Sequence, residues 1–476
     1  MPTLRRTGWL GPLALMIAAL VAASQSAADS SVHADQAVVD PDLQSIIPSS
    51  DIHISVVDGR KELDYSHYVY NAGPGPLEVR PVYDPATDSA SGYQRLAAAE
   101  APDDPGQATE IPIQGRFFWH SPHNHYHFPL AEYGLFTVDP DGSLGSSVGI
   151  SSKIGFCLGD DYLLDGAVAQ NRAVPRYDPY TCGDPTATRG IAAGWSDRYD
   201  WTNVGQPIDI TDLPDGQYWF RGTVNPAGYL READETNNSS DVKIRITGNQ
   251  VDVMAPVATI GSATVAASVL REGRGALTTG RLNTGGPTFL VALVAAAGGR
   301  EPQSARVSGA GLAWNLVGRS NSQPGTSEIW TARARAPLVD ATVRSELDTD
   351  GYHQALTVLA LDGLAGVGGG AEATGATDTA TASMTTKGSG STIIAVGNDS
   401  SAANLRTVPQ DQAKVEEWVD LEAGATFWVQ GQRSAAAGAG TLATLAARGG
   451  AGSHWNMAAI ELLSAAANET GIAIDD

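Results

Sequence analysis

The sequence predicts an all-β protein: one β-sandwich domain followed by a second. Three observations predict it. Short runs rich in Val, Ile, Thr and aromatic residues recur along the chain, as strands require. Gly, Pro, Asn and Asp punctuate them, and glycine alone supplies 53 of the 476 residues. After about residue 250 the composition becomes richer in Ala and Gly while the strand-like runs continue, which marks a second unit.

Taken in order, residues 1–28 read as a signal peptide. Arg5 and Arg6 form a positive start, Leu13 to Ala23 is apolar and uncharged, and Ser26-Ala27-Ala28 offers small residues for cleavage. The apolar run is short for a membrane span, and no second candidate follows, so the mature chain is expected to be secreted without a transmembrane segment. Arg5-Arg6 also suggests twin-arginine export, although Thr7-Gly8-Trp9 fits that signal poorly. Residues 29–48 read as a polar segment and 49–249 as the first domain, with strands such as Ile52 to Val57, Gln217 to Val224 and Val242 to Ile246. Residues 250–262 read as a linker. Residues 263–465 read as the second β-sandwich, with strands at Thr288 to Ala295, Gln354 to Leu361, Thr392 to Val396, Thr426 to Gln430 and near Trp455 to Leu463. Residues 466–476 read as a flexible tail.

The formal net charge of −23 excludes nucleic acid as a partner, because phosphate binding needs a basic face. An acidic surface attracts protonated amines, but it equally serves solubility alone. The two cysteines, Cys157 and Cys182, are expected to pair in an exported chain, and closing that loop would stabilise the fold by roughly 3 kcal/mol.

The chemistry-bearing signal is the histidine run. Of nine histidines, four fall at His120, His123, His125 and His127. On an extended segment positions i, i+2 and i+4 share one face, roughly 7 Å apart, so His123, His125 and His127 can converge on one ion where the strand twists. A helix would scatter them. Three imidazoles suit copper, zinc, nickel or iron and leave positions open for catalysis. The flanking Phe117-Phe118-Trp119 and Phe128-Pro129-Leu130 favour a half-buried metal site over a solvated loop. His120 is assigned a supporting role.

These residues carry a resemblance to the lysyl oxidase family, covering most of residues 51–248. Trp119-His120-Ser121-Pro122-His123-Asn124-His125-Tyr126-His127 resembles the family's copper-binding segment, with Pro122 where the animal enzymes have Cys. Lys153-Ile154-Gly155-Phe156-Cys157-Leu158 resembles the segment with the cofactor lysine. Gly190-Ile191-Ala192-Ala193-Gly194 and Asp197-Arg198-Tyr199 resemble that with the cofactor tyrosine. Ile208 to Gly216, Val224-Asn225-Pro226 and Glu232 to Asn238 follow in the family's order, although the last block alone also resembles bacterial adhesion modules. The resemblance implies a copper-dependent, protein-lysine 6-oxidase-like amine oxidase. Tyr199 would be oxidised near copper to a quinone, and Lys153, as a neutral amine, would add to its ring, giving lysine tyrosylquinone. Primary amines, peptidyl lysine among them, would become aldehydes, with dioxygen consumed and ammonia and hydrogen peroxide released. Asp197 is a candidate base. Cys157 falls where a family cysteine falls, and one bridge would replace the several of the animal enzymes.

For the second unit, Trp314, Trp330, Trp418, Trp428 and Trp455 are read as core packing, with a sugar-stacking platform contacting glycans as the other reading. Two alternatives stand beside the oxidase: a non-enzymatic surface or matrix-binding protein with a metal site, and a cupin-like metal dioxygenase. Neither requires a Lys153–Tyr199 crosslink.

Overall fold

The computed structural model describes residues 37–465, apart from 88, 103, 115–116, 121–124, 128–129, 154, 167, 170–173, 179–182, 204, 255–258 and 451. The signal segment 1–28, the tail 466–476, His123 and Cys182 therefore lie outside the described residues. Among the described residues every regular element is a strand, except the 3-10 turns Ser49–Asp51 and Pro105–Gln107, and no helix is long and apolar enough to cross a membrane.

In the first half, four antiparallel sheets close over one core that includes Leu43, Leu63, Tyr65, Val69, Leu135, Phe156, Tyr199 and Phe220. One four-stranded sheet runs Tyr162–Leu163, Trp195–Tyr199, His67–Asn71, Leu43–Ile46. A five-stranded sheet runs Leu144–Ile150, Ala131–Val138, Gly216–Val224, Ser239–Thr247, Gln250–Met254. A larger sheet carries Phe117–His120, His125–His127 and Gly155–Phe156 side by side.

Two stretches differ from their sequence reading. Part of the 250–262 segment, expected as a linker, is the strand Gln250–Met254, which folds back on Ser239–Thr247 with Thr247 opposite Gln250. The two-residue connection Gly248-Asn249 makes the hairpin possible, since Gly248 sits at φ +58°. Val253 then joins the core of the first half. The polar segment 29–48 contributes Leu43–Ile46 to the four-stranded sheet. There Leu43 and Ser45 are buried on one face while Gln44 and Ile46 lie on the other, and pairing with His67–Asn71 makes the segment a strand.

In the second half the sandwich carries a further sheet on each outer face. A six-stranded and a five-stranded sheet pack through Val291, Leu293, Leu359, Ile394, Phe427 and Ile460. A three-stranded sheet covers the six-stranded one through Leu290, Ala292, Val294, Val307 and Val343. A two-stranded ribbon covers the five-stranded one through Ala380, Ala395, Trp428, Leu445 and Met457. The strand Thr288–Ala296 is consequently buried at every position. This is why it reads as an unbroken apolar run rather than an alternating one. Trp418, Trp428 and Trp455 are buried in these cores, and Trp314 and Trp330 pack against their edge. Trp418, Trp428 and Trp455 therefore serve packing, and Trp314 and Trp330 stay partly exposed.

Candidate active site

The strand Trp195–Tyr199 alternates Trp195, Asp197 and Tyr199 toward one side, and all three are buried. Because positions i and i+2 share a face, the Tyr199 hydroxyl reaches back and donates to the Asp197 carboxylate. The Cys157 carbonyl oxygen lies 3.4 Å from the same hydroxyl. Phe156 meets the Tyr199 ring edge-on, with centroids 5.1 Å apart and planes at 82°.

Lys153 arrives from a different direction, on the loop that follows Leu144–Ile150. Its backbone N–H donates to Ser151 Oγ at 3.1 Å, and the Ser151 hydroxyl donates to the Gln206 carbonyl at 2.7 Å. Gln206 is fully buried, and its side-chain amide donates to the carbonyls of Tyr65 and Tyr199. One glutamine thus ties the lysine loop to the tyrosine strand. The outcome is that Lys153 Nζ stands 4.8 Å from the centroid of the Tyr199 ring and 5.2 Å from that of Phe156.

The electrostatics follow from burial. Desolvation lowers the Lys153 ammonium to about 8, with the nearby Asp197 opposing the shift. Burial pushes Asp197 well above the usual carboxylate range, against the stabilising hydrogen bond from Tyr199. Burial, and then the Asp197 charge, push the Tyr199 phenol up. The chemical result is an amine that sheds its proton readily, beside a phenol that holds its own and a carboxylate whose affinity for a proton is raised.

The histidine strand adjoins this cluster through the backbone. In His125–His127, His127 pairs with Gly155 and Tyr126 with Phe156, two and three residues from Lys153. On its other edge His125 pairs with His120. His123 lies outside the described residues, and among those described no group of three His, Cys, Asp or Glu side chains forms a metal cage. Cys157 is not a free thiol, and Cys182 lies outside the described residues.

Sequence reasoning missed a buried polar chain beside the site. Tyr199 pairs across the ladder with His67, which is fully buried. His67 Nδ1 lies 3.0 Å from the Tyr133 hydroxyl and Nε2 lies 2.9 Å from Ser45 Oγ. Burial, reinforced by the Lys153 charge, lowers His67 to about 3, so its imidazole is neutral. A single histidine in the run Tyr65-Ser66-His67-Tyr68 carries no spacing signal that could have marked it.

Comparison with known proteins agrees on one region. The lysyl oxidase family profile matches residues 94–255. Human lysyl oxidase homolog 2 is 31% identical over 170 residues, which is 35% of this chain and 20% of that protein. Mouse lysyl oxidase homolog 4 is 32% identical over 165 residues, 34% of this chain and 20% of that protein. The chain therefore spans about a fifth of the length of these relatives.

Proposed function

We propose that this chain, whose residues 94–255 match the lysyl oxidase family profile, is a secreted, copper-dependent oxidase of primary amines that builds lysine tyrosylquinone from Lys153 and Tyr199. The observation that carries the reading is Lys153 Nζ at 4.8 Å from the Tyr199 ring, brought there by two segments 46 positions apart in sequence.

The residues present fit such a cofactor. Addition to an oxidised ring needs an uncharged amine, and an ammonium lowered to about 8 is about one-tenth deprotonated at neutral pH. Edge-on packing by Phe156 and the Gln206 bond to the Tyr199 carbonyl restrain the ring and its strand, so the amine faces a fixed target. His123, His125 and His127 would hold the copper, as imidazoles suit it and as the pairing of His127 with Gly155 favours. When formed, the quinone supplies an electron sink that takes two electrons from a bound amine and passes them to dioxygen, releasing aldehyde, ammonia and hydrogen peroxide.

Asp197 is then the group placed to hold and move the proton. It accepts from Tyr199 Oη before oxidation, and its raised affinity for a proton suits it to take one from the substrate carbon next to the amine. A bridge between Cys157 and Cys182 would fix the segment joining the two cofactor residues. The net charge of −23 favours the approach of cationic amines. The test is aerobic loading with copper followed by a simple alkylamine. Wild type should develop a visible quinone band and release peroxide, whereas Tyr199→Phe should bind copper and do neither. Copper-loaded wild type with no band and no peroxide would overturn the reading in favour of a non-enzymatic binding protein.

A further inference from the structure

We propose that the second half of the chain braces the strand that carries Tyr199, and that Arg198 is the positioning residue through which it does so; this rests on the amine oxidase reading above. Arg198 lies between Asp197 and Tyr199 in the strand Trp195–Tyr199. Alternation turns its side chain away from those two, toward the outer face of the sheet. There the guanidinium stands 5.7 Å from the centroid of the Tyr68 ring, its ladder partner. It pairs with Asp51 at 3.1 Å and with Asp200 at 2.9 Å.

Three observations carry the brace across the junction of the two halves. The first is the 3-10 turn Ser49–Asp51, whose three residues are all only partly buried. One such turn is too short to hold itself in place. Ile47 and Ile52 anchor its ends in the first core, and its side chains set where its middle rests. Asp51 accepts from Arg198, and Ser49 Oγ donates at 3.0 Å to Glu272 Oε1 in the second half. The second observation is that Glu272 is itself fixed. It is buried on Ala263–Arg274 and shares a face with Leu270, which packs into the core of the first half. The third is that Tyr199 ends its strand, where a ladder opens most readily. Just beyond it, the Asp200 carboxylate is held by Arg198, and its carbonyl accepts from Gln206 Nε2 at 3.2 Å. The same amide bonds the Tyr199 carbonyl. A bond or a direct chain connection therefore joins every step from Glu272 to Tyr199.

The consequence concerns cofactor formation rather than turnover. Until Lys153 and Tyr199 are joined, packing and hydrogen bonds alone hold the ring at 4.8 Å from the amine. A loose strand end lowers the fraction of molecules in which the amine is within reach, and the rate of addition falls with that fraction. Once the covalent bond has formed, the bond itself fixes the ring, and turnover no longer depends on the brace. The second half thereby serves the site by holding it in place, although none of its residues reaches the chemistry.

The experiment uses the full-length chain and has one readout that needs no copper. In the metal-free protein, hydrogen exchange of the Trp195–Tyr199 peptide should quicken about two- to fivefold in Asp51→Ala, Ser49→Ala and Arg198→Met, with the Thr288–Ala296 peptide unmoved. On aerobic copper loading the same variants should form the quinone more slowly by about the same factor. Turnover of an alkylamine per quinone formed should stay at the wild-type value in Ser49→Ala and Asp51→Ala, and Asp51→Glu should restore the formation rate. Glu272→Ala should slow formation as Ser49→Ala does, whereas Glu272→Gln, which keeps an acceptor for Ser49, should not. Joining Asp51→Ala to Glu272→Ala should add no further loss, since both cut one path. Wild-type exchange and formation rates in Asp51→Ala and Glu272→Ala would overturn the brace, as would additive losses in the double variant. Failure of wild type to form any quinone would instead overturn the amine oxidase reading, and the exchange result would still decide whether the second half holds the strand.

Discussion

Two sets of buried strands make opposite use of their burial. Thr288–Ala296, in the second half, is buried throughout and is apolar at all but its first position. Its odd and even residues feed two separate cores. Trp195–Tyr199 and His67–Asn71, in the first half, are almost as completely buried, yet they enclose Asp197, Ser196, Tyr199, His67 and Asn71. Apolar burial stabilises by roughly 1.5–3 kcal/mol per large side chain. Buried ionisable groups cost free energy unless paired, and here their proton affinities are shifted instead. The first arrangement holds a fold together. The second spends part of that stability on reactivity.

The sharpest way to break the comparison is to change one residue on each side. Tyr199→Phe should abolish quinone colour and peroxide release outright while the protein remains folded, read by absorbance and thermal melting. Leu293→Ala should do the reverse. It opens a cavity between two sheets and should cost about 2–5 kcal/mol by denaturant titration, with turnover per folded molecule unchanged. If Leu293→Ala altered turnover per folded molecule, the two regions would not be separable as claimed.

Asp197→Asn tests the cost of polar burial directly. It removes a carboxyl whose ionised form is disfavoured by burial, so stability at neutral pH should be unchanged or higher, while cofactor formation slows at least about tenfold. The pH dependence of cofactor formation in wild type should follow Lys153. The rate rises with pH as the amine deprotonates and levels off above about 8. A plateau deferred to the ordinary lysine range would mean that the amine is not desolvated in solution.

A smaller effect is expected where the halves meet. Glu272 on Ala263–Arg274 faces Glu416 on Gln412–Asp420, with Glu417 nearby and Ser49 Oγ donating to Glu272 Oε1 at 3.0 Å. Burial, and then the Glu416 charge, push Glu272 well above its usual value of 4.5. The folded state therefore keeps a proton that the unfolded chain has lost. This contribution is fully present below about 4.5 and declines as pH rises toward the folded value. Glu272→Gln should flatten that decline in melting temperature against pH. An unchanged slope would exclude the pair as its source.

The strands were legible where periodicity or unbroken apolar runs are strong. Thr288 to Ala295 and Gln354 to Leu361 match observed strands within a residue. Gln250–Met254 was not legible, because Pro256 and the polar residues around it outweighed three apolar positions, and only the hairpin partner makes it a strand. Of the site, Lys153 and Tyr199 could be named only because ordered motifs resemble a family. Their approach depends on Gln206, whose role is visible only after folding. His67, Ser45 and Tyr133 come from three separate strands. No sequence spacing relates them, since strand pairing and sheet packing create their contact.

The most direct test of the account is peptide mass analysis after aerobic incubation with copper. The peptides containing Lys153 and Tyr199 should be recovered as one covalently joined species, absent without copper and absent in Lys153→Ala. Recovery of the two peptides separately, from copper-loaded and oxygenated wild type, would contradict it.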